Sequence, residues 1–263
     1  MERRAPDLVL PPALPHRAAP GHLAERLGID RRRFLIASGG AMGALFLAAC
    51  DSMGPRSAKP VLMFAERQNE RLERAIFRHT TMNVPRSGVP PTGNAFPSYF
   101  ISERVPTWDA GTRGPWHLEI GGLVRNPVRL TLADLAALPR TGYKLDHFCV
   151  EGWTAVATRT GVRVADLARL VGALPQAKYV DFASFDDGYH ESWDIESAMH
   201  PQTLIVYAQD GRYLNAAWGA PARLYSPVKL GYKNTKYLTR ITFLAERNGG
   251  YWSDRGYEWY AGT

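Results

Sequence analysis

Cys149 is an internal cysteine within the segment Phe148-Cys149-Val150-Glu151-Gly152-Trp153 of this 263-residue chain. The other cysteine, Cys50, ends an apolar run near the N-terminus, so the two contexts do not indicate a structural disulfide. A single internal cysteine is often a small core side chain. In an oxidising compartment, however, metal ligation protects a thiolate because coordination holds and shields it. Core packing and metal ligation are therefore the two interpretations of Cys149.

The chain is basic, with a formal net charge of +7. Much of the excess lies in residues 1–33, which hold seven arginines and four carboxylates. In the remainder, lysines and arginines are scattered among aromatic residues and do not form a run. This distribution favours an anionic substrate or cofactor, and we expect no nucleic-acid partner.

Residues 1–50 have the pattern of an export signal. Arg31-Arg32-Arg33-Phe34-Leu35 precedes an apolar segment that continues to Ala49, which resembles a twin-arginine signal peptide or, if it is retained, a membrane anchor. Leu47-Ala48-Ala49-Cys50 also resembles a lipoprotein processing box. The twin-arginine route exports folded proteins, which suits an enzyme that takes up its cofactor before export. We therefore expect a periplasmic protein with a membrane tether at its N-terminus.

The rest of the chain predicts a linker followed by one domain. Residues 51–89 form the linker, with a short helix at 66–74, where opposite charges lie three and four residues apart. The five prolines of residues 84–108 predict an extended arm. Beyond residue 115, strands are predicted at 116–120, 128–130, 178–183, 203–207 and 240–244, and helices at 131–135, 164–170 and 195–199. Short strands mixed with a few short helices predict an α+β domain over residues 90–263.

The segment around Cys149, together with Gly161-Val162-Arg163-Val164-Ala165-Asp166-Leu167, resembles the sulfite oxidase superfamily of molybdopterin enzymes. Further blocks that match in the same order are residues 196–201, 219–224, 231–238, 250–252 and 256–257. The resemblance covers roughly residues 90–261. It implies a sulfite oxidase-type molybdopterin-binding fold, one molybdenum-molybdopterin cofactor with a single pterin, and Cys149 as the ligand to the metal.

The same resemblance assigns further side chains to the cofactor. A molybdopterin ends in a phosphate, which Arg223 would bind as a bidentate fork and Lys236 as a point charge. Glu151 is either a proton carrier beside the exchangeable oxygen or a hydrogen-bonding residue near the metal ligands. The other positions that the resemblance assigns to cofactor binding are Asn94, Pro97, Ser98, Ser184, Trp218, Asn234 and Thr235. The alternatives are an exposed basic loop at residues 231–238 and a simple turn residue at Ser184.

The residues after Cys149 indicate which branch of the superfamily is similar. Sulfite oxidases have arginines there that form an anion pocket, whereas this chain has Val150-Glu151-Gly152-Trp153. A carboxylate at this point would repel sulfite. The pattern is similar to the bacterial periplasmic group of the protein-methionine-sulfoxide reductase catalytic subunit. Trp218, where relatives have Asn or His, and Pro97-Ser98, where the reductase has Tyr-Glu, leave the choice of substrate open.

From the residues and the resemblance together we expect a monomeric molybdenum-dependent oxidoreductase. It would transfer an oxygen atom on a sulfur-type substrate, a small-molecule or protein-bound sulfoxide, with reduction as the preferred direction. A separate electron carrier, a membrane haem protein or a soluble cytochrome, would supply electrons. The alternatives are a sulfite-type dehydrogenase and, from another class, a cofactor-less binding or scaffold module with the same fold.

Overall fold

The structure is a computed structural model that describes residues 58–77, 82, 99–152 and 154–263. The chain separates into two units, Met1–Ala65 and Glu66–Thr263. The predicted export signal, the lipoprotein box and Asn94, Pro97 and Ser98 lie outside the described residues, so these features and the domain boundaries at 50/51 and 89/90 stay predictions. In the part of the chain that is described, no helix is both long enough and apolar enough to cross a membrane.

The described elements are mostly short. The helices are α1 (Ala58–Ile76), α2 (Ala110–Arg113), α3 (Leu132–Ala137), α4 (Val164–Val171) and α5 (Ile195–Ala198). The strands are β1 (Leu118–Gly122), β2 (Val128–Leu130), β3 (Thr141–Phe148), β4 (Thr154–Arg163), β5 (Tyr179–Ser184), β6 (His190–Asp194), β7 (Leu204–Gln209), β8 (Arg212–Tyr213), β9 (Arg223–Tyr225) and β10 (Leu238–Leu244). Single 3₁₀ turns lie at Ala216–Trp218, Gly231–Lys233 and Ser253–Arg255. The predicted α+β class is confirmed.

Local sequence accounts for the helix boundaries. Helix α3 begins with a capping box, because the Thr131 hydroxyl accepts from the Asp134 amide while the Asp134 carboxylate accepts from the Thr131 amide. Helix α4 buries Val164, Leu167, Ala168 and Val171, which lie on one face. It ends where Gly172 adopts a left-handed conformation at φ +64°. The predicted helix at 66–74 is confirmed, but α1 is 19 residues long and so extends well beyond it.

Two five-stranded sheets form the framework. The first has the order β2-β1-β10-β5-β6, in which β1 and β10 are parallel and the other neighbours are antiparallel. The second has the order β3-β4-β7-β8, with β9 also paired to β7. Buried apolar side chains from both sheets and from α4 make up the main core. Strands β3 and β4, an eight-pair hairpin, have no counterpart among the predicted strands.

Candidate functional site

A cavity of about 320 Å³ lies at the end of the β3–β4 hairpin. Its walls combine the turn after β3, the end of β5, the loop before β10 and residues 99–101. This volume is at the lower end of the range of small-ligand sites, which is about 300–1,000 Å³. The residues that line the cavity include some that are more than a hundred positions apart in the sequence. The cavity therefore forms only when the tertiary structure brings them together.

The turn between β3 and β4 places Cys149 in the cavity wall. Phe148 and Thr154 form the last pair of the hairpin, and the Gly152 amide donates to the Cys149 carbonyl at 3.0 Å. Gly152 adopts φ +84°, which favours glycine at this position of the turn. The side chain is a free thiol and is partly exposed. Burial raises the pKa of the Cys149 thiol, and the Glu151 carboxylate acts in the same direction; a bound metal cation would favour the thiolate.

Two cations in the cavity wall face neutral acceptors. Arg223, at the start of β9, is 2% exposed and donates to the carbonyls of Trp218 and Asn234 at 3.1 and 3.5 Å. The Lys236 ammonium donates to the carbonyls of Tyr99 and Ala217 at 2.7 and 3.4 Å. Among the residues that the structure describes, no carboxylate lies within 4.0 Å of either cation.

The surroundings penalise these positive charges. Burial and the neighbouring Arg159 lower the pKa of Arg223 to about 9, and burial together with Arg223 lowers the pKa of Lys236 to about 7. Arg159 is fully buried, with its guanidinium carbon 4.0 Å from the centre of the Tyr225 ring. Burial and these three cations hold the pKa of His147 well below its usual value. The part of the wall formed by Arg223 and Lys236 is therefore one where an anionic group of a ligand would be favourable, whereas Glu151 and Asp186 add negative charge elsewhere in the lining.

Residues 99–102, which lie within the predicted arm, close one side of the cavity. The Tyr99 hydroxyl donates to the Glu151 carboxylate at 2.7 Å, while the Tyr99 carbonyl accepts from Lys236. The Asp186 carboxylate accepts from the Ile101 amide at 2.9 Å and from the Ser102 hydroxyl. These contacts join the segment directly to the turn that carries Cys149 and to the basic loop. The Tyr99 contact favours the hydrogen-bonding interpretation of Glu151.

Aromatic rings form another wall. Tyr189, Tyr232, Trp252 and Tyr257 all line the cavity. The Trp252 and Tyr257 ring centres are 4.9 Å apart, and those of Tyr232 and Tyr257 are 5.3 Å apart. No individual role was predicted for these residues, although the blocks at 250–252 and 256–257 contain two of them. These rings give the cavity an apolar part in addition to its cations, which suits a ligand with an apolar part.

The structure brings six of the predicted site residues to the cavity: Cys149, Glu151, Ser184, Arg223, Asn234 and Lys236. Trp218 and Thr235 are not among the lining residues. Thr235 is fully buried and its hydroxyl donates to the Phe182 carbonyl at 3.3 Å. Trp218 packs against the small core cluster formed by Leu145, Leu204, Val206, Leu214 and Tyr225.

The side-chain polar groups of two lining residues, Asn234 and Ser184, form hydrogen bonds with other parts of the protein. The Asn234 side-chain oxygen accepts from the Ser226 amide at 2.6 Å, and its nitrogen donates to the carbonyls of Lys229 and Leu230. The Ser184 hydroxyl accepts from the Asp186 amide at 2.8 Å. Asn234 thus shapes the basic loop as well as lining the cavity, a role that its sequence position did not predict.

Comparison with known proteins gives matches over most of the chain. A family model described as an oxidoreductase molybdopterin binding domain matches residues 103–252. The putative protein-methionine-sulfoxide reductase subunit YedZ1 of Azospira oryzae is 36% identical over 237 residues, which are 89% of this chain and 88% of that protein. The uncharacterized oxidoreductase YuiH of Bacillus subtilis is 30% identical over 184 residues, 69% of this chain and 91% of that protein.

Two further proteins are similar over smaller parts. The protein-methionine-sulfoxide reductase catalytic subunit MsrP of Ralstonia nicotianae is 32% identical over 181 residues, 62% of this chain and 54% of that protein. Among solved structures, the sulfane dehydrogenase SoxCD of Paracoccus pantotrophus is 23% identical, covers 50% of this chain and 39% of that chain, and has a TM-score of 0.48.

Proposed function

The chain belongs to the oxidoreductase molybdopterin-binding family, and within this family we propose that it reduces a sulfoxide to the sulfide. As a member of this family, the protein is a molybdenum-dependent oxidoreductase with a molybdenum-molybdopterin cofactor. The reaction takes up two electrons and two protons for each sulfoxide and releases the sulfide and water. When bound, the cofactor supplies the two-electron redox change and the exchange of one oxygen atom.

The residues of the cavity fit this cofactor. Cys149 supplies one soft sulfur donor, the ligand type that we propose for the metal. Arg223 and Lys236 supply two cations without a carboxylate partner among the described residues, and an anionic cofactor would satisfy both. In a cofactor-less module, the burial that lowers the pKa of Arg223 and of Lys236 would have no bound anion to offset it. We therefore propose Cys149 as the metal ligand and Arg223, Lys236, Ser184 and Asn234 as residues around the cofactor.

The position of Glu151 is the main support for a sulfoxide as the substrate. Its carboxylate is held at the cavity by the Tyr99 hydroxyl at 2.7 Å, two residues after Cys149 in the same turn. A negative charge at this point disfavours sulfite and leaves a neutral sulfoxide unaffected. The aromatic wall supports the same choice, because the sulfide product is apolar and sulfur contacts aromatic rings favourably. Glu151 thus acts on substrate choice, with Tyr99 fixing its orientation.

Electrons must come from another molecule, and we propose a separate protein for this, a membrane haem protein or a soluble cytochrome. Two of the similar proteins carry the word subunit in their names, which supports a partner. We further propose that the protein is a monomer, that it is exported in folded form by the twin-arginine route, and that it acts in the periplasm. Its N-terminus would tether it to the inner membrane.

The proposal is tested on the holoenzyme from a molybdate-supplied host. Molybdenum and pterin should be present at about one each per chain. Reduced viologen with methionine sulfoxide should give turnover, and sulfite with an electron acceptor should give little. Turnover only with sulfite would make the protein a sulfite-type dehydrogenase.

A charge-neutral variant tests the role of Glu151 directly. In Glu151→Gln, sulfite should inhibit methionine sulfoxide reduction more strongly, by about tenfold in its inhibition constant, because a nearby like charge has been removed. Glu103→Gln removes an exposed carboxylate outside the cavity lining and serves as the control. Equal sulfite inhibition in the two variants would contradict the proposed role.

A further inference from the structure

Tyr237 is a cavity-lining residue that lies in the matched block at 231–238 but has no role in the predicted site or in the proposed function. It follows Lys236 and precedes β10, and only 1% of it is exposed. Its hydroxyl is buried and, among the residues that the structure describes, has no hydrogen-bond partner. Buried hydroxyls nearly always have a partner, because an unsatisfied one loses its hydration without compensation. This hydroxyl therefore calls for an explanation.

Other tyrosines beside the site show the contrast. The hydroxyl of Tyr189 donates to the Tyr232 carbonyl, and that of Tyr232 donates to the Glu258 carbonyl at 2.6 Å. The hydroxyl of Tyr225, which lies behind the cavity wall, donates to the Asp146 carbonyl at 2.7 Å. Each of these three buried or half-buried rings has a protein acceptor. Tyr237 has the same phenol hydroxyl, but no described protein group accepts a hydrogen bond from it.

Hydrogen bonds on both sides hold the backbone of Tyr237. The residue has φ +56°, in the left-handed region that a large side chain rarely adopts. Its amide donates to the Gly219 carbonyl at 3.3 Å, and its carbonyl accepts from the Phe185 amide at 2.9 Å. The ring packs at 5.4 Å from the Phe185 ring. The contact with Phe185 and the 1% exposure place the ring in the cavity wall, away from bulk solvent.

The hydroxyl is available as a donor at neutral pH. Burial raises the pKa of Tyr237 to about 12, although Arg223 acts in the opposite direction. A neutral phenol next to cations can donate to a pterin heteroatom or to a negatively charged oxygen. No described protein group within hydrogen-bonding distance accepts from the Tyr237 hydroxyl.

We propose that Tyr237 is a further cofactor-binding residue, whose hydroxyl donates a hydrogen bond to the bound molybdopterin. This role depends on the cofactor and not on the sulfoxide substrate. It can therefore be tested independently of the proposed reaction. It also explains why the loop places a tyrosine, and not a glycine, in a left-handed conformation.

The test compares Tyr237→Phe with Tyr225→Phe, each with and without cofactor. Cofactor-free chains come from a host that does not make molybdopterin. We expect cofactor-free Tyr237→Phe to melt at or above the wild-type temperature, because it loses a hydroxyl that had no partner. Loaded Tyr237→Phe should lose molybdenum and pterin about three- to tenfold faster on dialysis, as expected for one lost hydrogen bond. Tyr225→Phe should lower the melting temperature equally in both forms.

The two forms separate a cofactor contact from a structural role. A drop in melting temperature of the same size in cofactor-free and loaded Tyr237→Phe would overturn the proposal. Unchanged cofactor retention would also overturn it, including a result in which only the KM for methionine sulfoxide rises. Faster cofactor loss confined to Tyr237→Phe would support it, whichever sulfur substrate the enzyme turns over.

Discussion

Lys233 and Lys236 lie three residues apart in one loop, and the molecule uses them in different ways. Lys233 is fully buried and pairs with the buried carboxylate of Glu191, as Lys229 does with Asp194 at 3.0 Å. Lys236 lines the cavity and, within the described part of the chain, donates to backbone carbonyls. The paired lysines have their counter-charges in the protein. Among the described residues, the cavity lysine has no carboxylate within 4.0 Å, although Asp186 lines the same cavity, and we propose an anionic ligand as its close counter-charge.

The charge states of the Lys229–Asp194 pair support this contrast. Burial acts to raise the pKa of Asp194, but the Lys229 ammonium and the Ser197 amide hold it at about 2. Burial lowers the pKa of Lys229 only to about 8 because Asp194 opposes the change. Both groups are therefore charged at pH 7. In the cavity, burial and the second cation Arg223 lower the pKa of Lys236 to about 7, although the Asp186 carboxylate acts in the opposite direction.

Breaking the Lys229–Asp194 pair should have the largest effect on stability. Lys229→Met removes a cation that is 1% exposed and leaves the Asp194 carboxylate buried without it. We expect the free energy of unfolding to fall by about 3–5 kcal/mol, measured by urea unfolding of the cofactor-free chain. The double variant with Asp194→Asn should recover part of this loss. A cost below about 1 kcal/mol would remove the distinction between the two regions.

Replacing the cavity thiol should change function without changing stability. In Cys149→Ser, turnover should fall by at least about a hundredfold, because a hydroxyl is a poor substitute for the proposed thiolate ligand. The free energy of unfolding of the cofactor-free chain should stay within about 0.5 kcal/mol, since the side chain is partly exposed and unpaired. Cys50→Ser is the matched control and should keep full turnover. Retained turnover in Cys149→Ser would refute its role as ligand.

The pH dependence of stability should reveal the cavity cation. The pKa of Lys236 is lowered from 10.5 to about 7 in the fold, so between these values the unfolded chain binds the extra proton. Stability of the cofactor-free protein should therefore rise from pH 7 to 10 by on the order of 2 kcal/mol, after solvent screening is allowed for. Lys236→Met should lack this part of the rise, and bound cofactor should suppress it. Identical pH profiles of wild type and variant would show that Lys236 is not penalised.

An exposed ion pair should show the smallest effect. Arg129 and Glu119 lie opposite each other on β2 and β1, 3.1 Å apart, with side chains 66% and 48% exposed. Water already solvates both charges, so Arg129→Ala should change the free energy of unfolding by less than about 0.5 kcal/mol. A loss comparable to that of Lys229→Met would mean that burial does not decide what an ion pair contributes here.

Most of the regular elements were predictable because their signals are local. The capping residues Thr131 and Asp134 mark the start of α3, and apolar spacing marks the buried face of α4. The hairpin that carries the candidate site was not predicted. In β3 only Leu145 and His147 are buried, and the other six residues mix polar, glycine and aromatic types, so apolar alternation is weak. The strand is defined by its eight residue pairs with β4, which the sequence pattern does not show.

By itself, the sequence determined the family, the α+β class and the cysteine that we propose as metal ligand, because ordered motifs and short-range periodicity are written along the chain. It also identified Arg223 and Lys236 as residues that line the cavity. Only the tertiary structure decided that Lys233 faces Glu191 while Lys236 faces the cavity, and that Tyr237 lines it with an unsatisfied hydroxyl. These distinctions depend on partners far away in the sequence, and the type of a residue does not specify which partner the fold places beside it.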